Sequence, residues 1–372
     1  MSRTGGVFHE KGKIDMNYEM ILAGKPYSLG RVEKRELFSQ WLTELTEYHR
    51  QHCLPYEKLL KALKVPSGKN MEEEEIPMLP IGLFKNMELM SVPPADVFKT
   101  MTSSGTTGQE VSKIFLDTDT AGYQQHALAS IGADFFGEER LPFLVIDSPD
   151  VLKSRELFSA RGAGILGFSI FSSRICYALT SDMELDMEAV EAFLKRYKDK
   201  KILVFGFTYI IWKYFYKALA IQGKKLELKN GILIHGGGWK KLISQSVSQE
   251  EFKMRICSVT GISHIHNYYG MAEQTGCIYM ECPCGNLHAS VYSDIITRRT
   301  VDFTPCEFGE KGIIQVLSPL PRSYPGHSIL TEDEGIIIGE DDCLCGRLGK
   351  YFKVTGRIKQ AQVRGCSDTY EG

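Results

Sequence analysis

Gly231-Ile-Leu-Ile-His-Gly-Gly-Gly-Trp239 reads as a buried strand that runs out into three consecutive glycines. An uncharged apolar run of this length suits a strand covered on both faces. Glycines directly after it let the backbone approach a flat ligand closely, although the same run is equally a tight surface turn. Working outward, residues 143–146 and 202–205 repeat the buried-strand pattern, and residues 186–197 and 209–220 read as helices between such strands. This alternation predicts an α/β fold, a large body of mixed or parallel sheets flanked by helices. Ligand-binding loops are then expected beyond the carboxyl ends of the strands. Upstream, Leu37, Trp41, Leu45 and Tyr48 recur at helical spacing and predict helix over residues 31–64. Residues 71–76 (MEEEEI), which lead into several prolines, read as a solvated connecting stretch.

The chain has 372 residues, 43% of them hydrophobic, enough for a sizeable core. Its 44 basic and 46 acidic side chains leave a net charge of -2, which argues against a dedicated nucleic-acid binder. The longest uncharged apolar run, 202–212, is well short of the about 20 residues that a membrane span needs. The N-terminus has no apolar segment of the secretory type. Ten cysteines without such a segment lead us to expect reduced thiols and a cytoplasmic protein.

Two further loops carry candidate chemistry. Thr102-Ser103-Ser104-Gly105-Thr106-Thr107-Gly108, followed by Lys113, packs hydroxyls and glycines into one short stretch. Successive backbone N–H groups there can form an anion-binding concavity, and the hydroxyls add donors for phosphate oxygens. It is not a Walker A loop, because no Gly-Lys-Ser/Thr follows at the required spacing. Read alone, it is also compatible with a polar turn. Asn267-Tyr268-Tyr269-Gly270-Met271-Ala272-Glu273 offers aromatic rings for a purine face and a carboxylate, Glu273, that can hold Mg²⁺ on phosphate.

In this order (Thr/Ser/Gly loop with Lys113, then Gly236-Gly237-Gly238, then Tyr268 to Glu273) the loops resemble those of the adenylate-forming superfamily of acyl-CoA synthetases and luciferases. Thr331-Glu332-Asp333 and Thr355-Gly356-Arg357 extend the likeness. The resemblance implies ATP and Mg²⁺ as cofactors, with Asp333 and Arg357 on the ribose of ATP. Fifteen residues follow Arg357, where that superfamily usually continues into a lid domain bearing a lysine. A chain that stops there is similar to the LuxE-type acyl-protein synthetases of bacterial fatty-acid reductase complexes. Ser323-Tyr-Pro-Gly-His-Ser-Ile-Leu-Thr-Glu-Asp333, Gly349-Lys-Tyr-Phe-Lys-Val-Thr-Gly-Arg357 and Arg364-Gly-Cys-Ser-Asp-Thr369 carry that match.

The resemblance implies activation of a fatty acid to an acyl adenylate, with Lys113 and Glu273 in the catalytic set. The acyl group then passes to the Cys366 thiol and on to an NADPH-dependent acyl reductase partner. It also suggests four parts: an N-terminal helical region and linker (1–95), a nucleotide- and acyl-binding body (96–320), a smaller β-rich subdomain (321–357) and a tail with the acceptor cysteine (358–372). Two other readings stay open. One is an acyl- or aryl-CoA or carrier-protein ligase of the phenylacetate-CoA ligase type. The other is a scaffold that keeps the fold without turnover. Chain length of the acid, pathway and oligomeric state are not legible.

Cys282-Pro-Cys284-Gly-Asn-Leu-His288 and Cys343-Leu-Cys345 form two clusters whose thiolates and imidazole can make a tetrahedral zinc site. The expected ligands are Cys282, His288, Cys343 and Cys345, with Cys284 as a substitute. Four reduced cysteines near one another by chance are the alternative. Cys53, Cys176, Cys257, Cys277 and Cys306 read as structural, and His264 and His266 as packed strand residues. His235 is a candidate for lining the pocket.

Overall fold

The computed structural model describes residues 18–102, 111–152, 160–239 and 245–358. In chain order its strands are β1 (Leu79–Pro80), β2 (Lys99–Thr102), β3 (Lys113–Leu116), β4 (Leu141–Val145), β5 (Ser172–Tyr177), β6 (Ile202–Phe207) and β7 (Gly231–Gly236). There follow β8 (His264–Tyr269), β9 (Tyr279–Glu281), β10 (Leu287–His288), β11 (Asp294–Arg298), β12 (Lys311–Leu317), β13 (Ser328–Glu340) and β14 (Lys350–Arg357). All but β2 and β3 join one sheet in the order β11-β12-β13-β14-β10-β9-β8-β7-β6-β4-β5, with β1 beside β13. β4 to β8 pair in parallel, and β8 to β11 pair antiparallel. The sheet is therefore mixed: a helix-covered parallel half and a meandering half. β2 and β3 form a separate antiparallel hairpin.

The parallel half follows from composition. β4, β6 and β7 are buried at every position, which suits strands sandwiched between helix layers. The helices between them are capped by the residues that favour it. The Asp117 carboxylate accepts from the Thr120 N–H at 2.8 Å to start the helix Thr118–Phe136. Asp186 does the same for Met187–Arg196, whose Val190, Phe193 and Leu194 turn inward. Gly261, at φ +75°, closes the helix Gln249–Thr260 in the left-handed conformation that a side chain disfavours.

Three local expectations need correction. Residues 31–64 are two helices, Arg31–His52 and Leu54–Ala62, because Cys53 is extended and Pro55 opens the second. Residues 209–220 are helical but broken into a turn at Thr208–Ile210, a π-helical turn Ile211–Tyr216 and a last α turn Lys217–Ile221. The acidic run is not simply solvated. Met71, Glu73 and Ile76 are buried, and Glu73–Glu75 form a 3-10 turn. Glu73 meets Lys350 Nζ at 3.3 Å, and Lys350 also lies 3.3 Å from Asp294, itself 3.7 Å from the buried Lys34. This buried charge cluster ties the N-terminal helices to β11 and β14. Removing one member of a buried pair costs about 3–5 kcal/mol.

A second buried polar cluster joins the helix Arg31–His52 to the segment before β13. The rings of His49 and His327 stack at 5.0 Å. His49 donates from Nε2 to the Pro321 carbonyl at 3.1 Å and pairs through Nδ1 with Ser91 Oγ at 2.7 Å. His327 Nε2 lies 3.0 Å from Thr46 Oγ1. Burial holds both imidazoles neutral. His327 is pushed down to about 3, and His49 is held well below its ordinary value by burial, the neighbouring His327, His52 and Arg322. The unfolded chain takes up protons at these histidines below about pH 6.5 while the native state does not, so native stability falls as pH drops from about 6.5 toward 3. Each histidine contributes a slope of up to about 1.4 kcal/mol per pH unit in that window. Urea unfolding of the wild type and of His327→Gln from pH 7 to pH 4 checks this: the variant has the shallower dependence, and equal slopes would refute the assignment.

Candidate active site and metal cluster

β6, β7 and β8 end side by side, and their register sets Phe207 beside Gly236 and Gly236 beside Tyr268. The glycine run begins there. A Cβ on Gly236 would collide with the Tyr268 ring, and Gly237 sits at φ +75° against Phe207. Gly236 is thus required by the packing of Tyr268. Gly237 and Gly238 are exposed, and nothing lies within 4 Å of the position a Gly238 Cβ would take. His235 is buried, its Nδ1 at 3.0 Å from Thr208 Oγ1, which donates to the Gly236 carbonyl at 3.1 Å. His235 therefore braces the turn from within the core. Burial pushes it down to about 3.

Tyr268 and Tyr269 divide in role. Tyr268 packs inward against Phe168 and Phe205. Tyr269 donates its hydroxyl to Asp333 Oδ2 at 2.8 Å. On the other oxygen, Arg357 Nε donates to Asp333 Oδ1 at 3.1 Å, and Arg357 Nη2 reaches Glu332 Oε2 at 3.2 Å. The contact of Asp333 with Arg357 is a product of register, since the two face each other across β13 and β14. Burial pushes the Asp333 carboxyl up against the opposing pull of Tyr269 and Arg357. Each oxygen keeps a further lone pair with which to accept a hydroxyl.

Gly270 follows Tyr269, and Glu273 lies in the 3-10 turn Ala272–Gln274, 4% exposed. Burial pushes its carboxyl up; the Ser112 side chain and the charge of Lys85 pull the other way. Thr102 and Lys113 face each other as the last β2–β3 pair before the connecting loop. Lys113 Nζ lies 3.3 Å from Glu88 Oε1 on the surface. Ser103, Ser104, Gly105, Thr106, Thr107 and Gly108 lie outside the described residues, as does Cys366.

Elsewhere, ligand atoms of Cys282, His288, Cys343 and Cys345 all lie within 4.8 Å of one another. Cys282 Sγ and Cys343 Sγ are 3.9 Å apart, and Cys345 Sγ is 3.4 Å from His288 Nε2. A tetrahedral site with Zn–S near 2.3 Å has edges of about 3.8 Å, so the four residues fit such an ion. Cys284 is exposed and outside this set. Of the cysteines expected to be structural, Cys53 and Cys277 are buried, Cys176 and Cys306 half-buried, and Cys257 exposed on its helix. His266 is buried and bonded through Nδ1 to the Glu281 carbonyl at 2.9 Å, a packed strand residue, while His264 is exposed. Among the described residues no helix is long and apolar enough to cross a membrane.

Ser112, Thr208 and Lys85 are absent from the sequence-derived set. Only Ser112, adjacent to Lys113, carried any local signal.

The fold is of the kind found in adenylate-forming ligases. Among solved structures it is similar to an open conformation of 2-hydroxyisobutyryl-CoA ligase, with a TM-score of 0.67 and 13% identity, covering 90% of this chain and 77% of that one. The acyl-protein synthetase family LuxE matches residues 11–371, and the chain belongs to that family of ligases. Its relatives include the long-chain-fatty-acid–luciferin-component ligases of Vibrio harveyi and Aliivibrio fischeri. The first is 24% identical over 94% of this chain and 91% of its own length, the second 23% over 94% and 92%.

Proposed function

We propose that this ligase activates a long-chain fatty acid with ATP and Mg²⁺ and passes the acyl group through its own Cys366 to a cysteine of an NADPH-dependent acyl reductase. The observation that carries the reading is the convergence of the Tyr269 hydroxyl and the Arg357 guanidinium on Asp333, in a chain whose family match runs nearly end to end. In the first step a fatty carboxylate oxygen attacks the α-phosphorus of ATP. The bond to the bridging oxygen breaks, and pyrophosphate leaves with the electron pair. Asp333 and Arg357 hold the ribose, the exposed Gly237–Gly238 backbone lies against the base with Tyr269, and Glu273 would hold Mg²⁺, which would offset the charge of the phosphates. The loop from Thr102 to Gly108, with Lys113, cradles the phosphates. In the second step the Cys366 thiolate attacks the acyl carbon and AMP leaves; a thiolate is nucleophilic near neutral pH, which makes it the natural acceptor. Transfer to the reductase thiol exchanges one thioester for another, and reduction there releases an aldehyde.

The sulfur cluster belongs to the same proposal as a structural Zn²⁺ site held by Cys282, His288, Cys343 and Cys345. The ion would cross-link the β9–β10 turn to the β13–β14 turn.

Intact-mass spectrometry after incubation with ATP, Mg²⁺ and a panel of carboxylic acids tests the reading. A hydroxylamine-labile adduct of one long-chain acyl group per chain is expected. Release of acyl-CoA when coenzyme A is supplied, with no adduct on the protein, would replace it with the acyl-CoA ligase reading.

A further inference from the structure

Arg357, Lys113 and Lys85 lie on or beside the elements that carry Asp333 and the Ser112–Lys113 corner, and two of these cations are already engaged. Arg357 is paired with Asp333 and Glu332, and Lys113 with Glu88. The third is Lys85, half-buried in the short helix Leu83–Asn86. Its placement follows from the backbone. β1 runs parallel to β13, with Pro80 beside Leu330, and the Ile81 N–H donates to the Leu330 carbonyl at 2.9 Å. The chain after β1 therefore advances along β13 toward Asp333, three residues on. The helix it enters packs against β3, which begins at Lys113.

Side chains fix the helix further. Phe84, fully buried, meets the Tyr324 ring edge-on at 6.3 Å. The Tyr324 hydroxyl donates to the Glu273 carbonyl at 2.8 Å. The helix that carries Lys85 is thus tied through Phe84 to the residue that carries the buried carboxylate, and the Lys85 charge acts on that carboxylate. Among the described residues Lys85 has no carboxylate within ion-pair distance. A half-buried ammonium with no ion-pair partner among the described residues, on a helix packed against the strand that follows a phosphate-type loop, suits a ligand that brings several negative charges.

We infer that Lys85 is a further catalytic residue, an ammonium that contacts the polyphosphate of ATP and stabilises the pyrophosphate as it leaves; this rests on the nucleotide reading above. When the bond between the α-phosphorus and the bridging oxygen breaks, the electron pair and added negative charge fall on pyrophosphate. A fixed cation there lowers the barrier without any proton transfer. Lysine serves as a compact point charge for this purpose.

Fatty-acid-dependent ATP–pyrophosphate exchange by the full chain tests it. Lys85→Met, which keeps most of the aliphatic stem, is expected to lose about a hundredfold in kcat/KM, and Lys85→Arg to retain at least about a tenth of the wild-type value. Lys224→Ala, on the far surface beside Glu191, leaves exchange unchanged. Lys85→Gln serves as a second neutral variant, and melting midpoints report folding for all of them. Exchange by Lys85→Met indistinguishable from the wild type overturns the inference. So does an equal loss in Lys85→Arg and Lys85→Met accompanied by lowered melting midpoints, which marks a structural side chain. A wild type that performs no exchange sinks the nucleotide reading itself, whereas exchange undiminished in Lys85→Met sinks only the role of Lys85.

Discussion

Cys366→Ser abolishes the hydroxylamine-labile acyl adduct and leaves fatty-acid-dependent ATP–pyrophosphate exchange at the wild-type rate. The two readouts separate because they report different bonds. On the proposed reading, exchange requires only reversible formation of the acyl adenylate from the carboxylate and ATP, with Asp333, Arg357 and Glu273 as the proposed contacts. The adduct requires a nucleophile that displaces AMP. A serine hydroxyl remains almost wholly protonated near neutral pH and has no base assigned to it here, so it attacks far more slowly than a thiolate. The comparison is made by intact mass and by peptide mapping of the labelled chain. A label that persists in Cys366→Ser on another cysteine would move the acceptor elsewhere. Loss of exchange together with the label would place Cys366 in the first step.

The second large effect concerns the sulfur cluster. The wild-type chain purified without chelators is expected to carry about one zinc per molecule, as expected for a four-ligand structural site, and Cys343→Ser to carry almost none. Native stability falls with it: an ion present at about 1,000 times its dissociation constant stabilises the folded state by about 4 kcal/mol. Cys343 is the informative choice because it is buried, contacts Cys282, and accepts from Asn286 Nδ2 at 3.7 Å. Cys284→Ser is the matched control, because Cys284 lies in the same turn but outside the four-ligand set, and it retains the metal. Elemental analysis and thermal unfolding with and without chelator measure both quantities. A wild type free of metal after growth with ample zinc, and not stabilised when zinc is added, would leave the cluster as four reduced side chains.

The parallel half of the sheet was legible because burial on both faces writes itself as uninterrupted apolar runs. β4, β6 and β7 coincide with residues 143–146, 202–205 and 231–234 to within two residues at each end. The helix Met187–Arg196 falls within residues 186–197, which read as helical in the sequence. The split at Cys53 was missed because the apolar spacing continues across it, and Pro55 acts only on the local backbone. Glu73 was misread because a run of glutamates looks solvated until Lys34 and Lys350 come to it from positions far away in sequence. The site shows the same boundary. Residues in local motifs, such as Gly236, Glu273 and the two Cys-x-Cys pairs, could be found from spacing. The bond from Tyr269 to Asp333 spans 64 positions and depends on how β8 and β13 lie in the sheet. Thr208 and Lys85 have no local signature, since their surroundings are assembled entirely by tertiary packing.

The β13–β14 hairpin has Asp333 opposite Arg357 toward one end and Glu340 opposite Lys350 at the other, next to the sulfur cluster. At about 3.3 Å per residue, the arm between them works as a gauge of fixed length. Gly335 and Gly339 within it leave no room for a Cβ. One residue added or removed there moves the Asp333 end by a strand step and turns its side chains to the opposite face. Design of chimaeras within this family should therefore treat the arm as a single indivisible cassette, with its cysteine turn and its aspartate transplanted together.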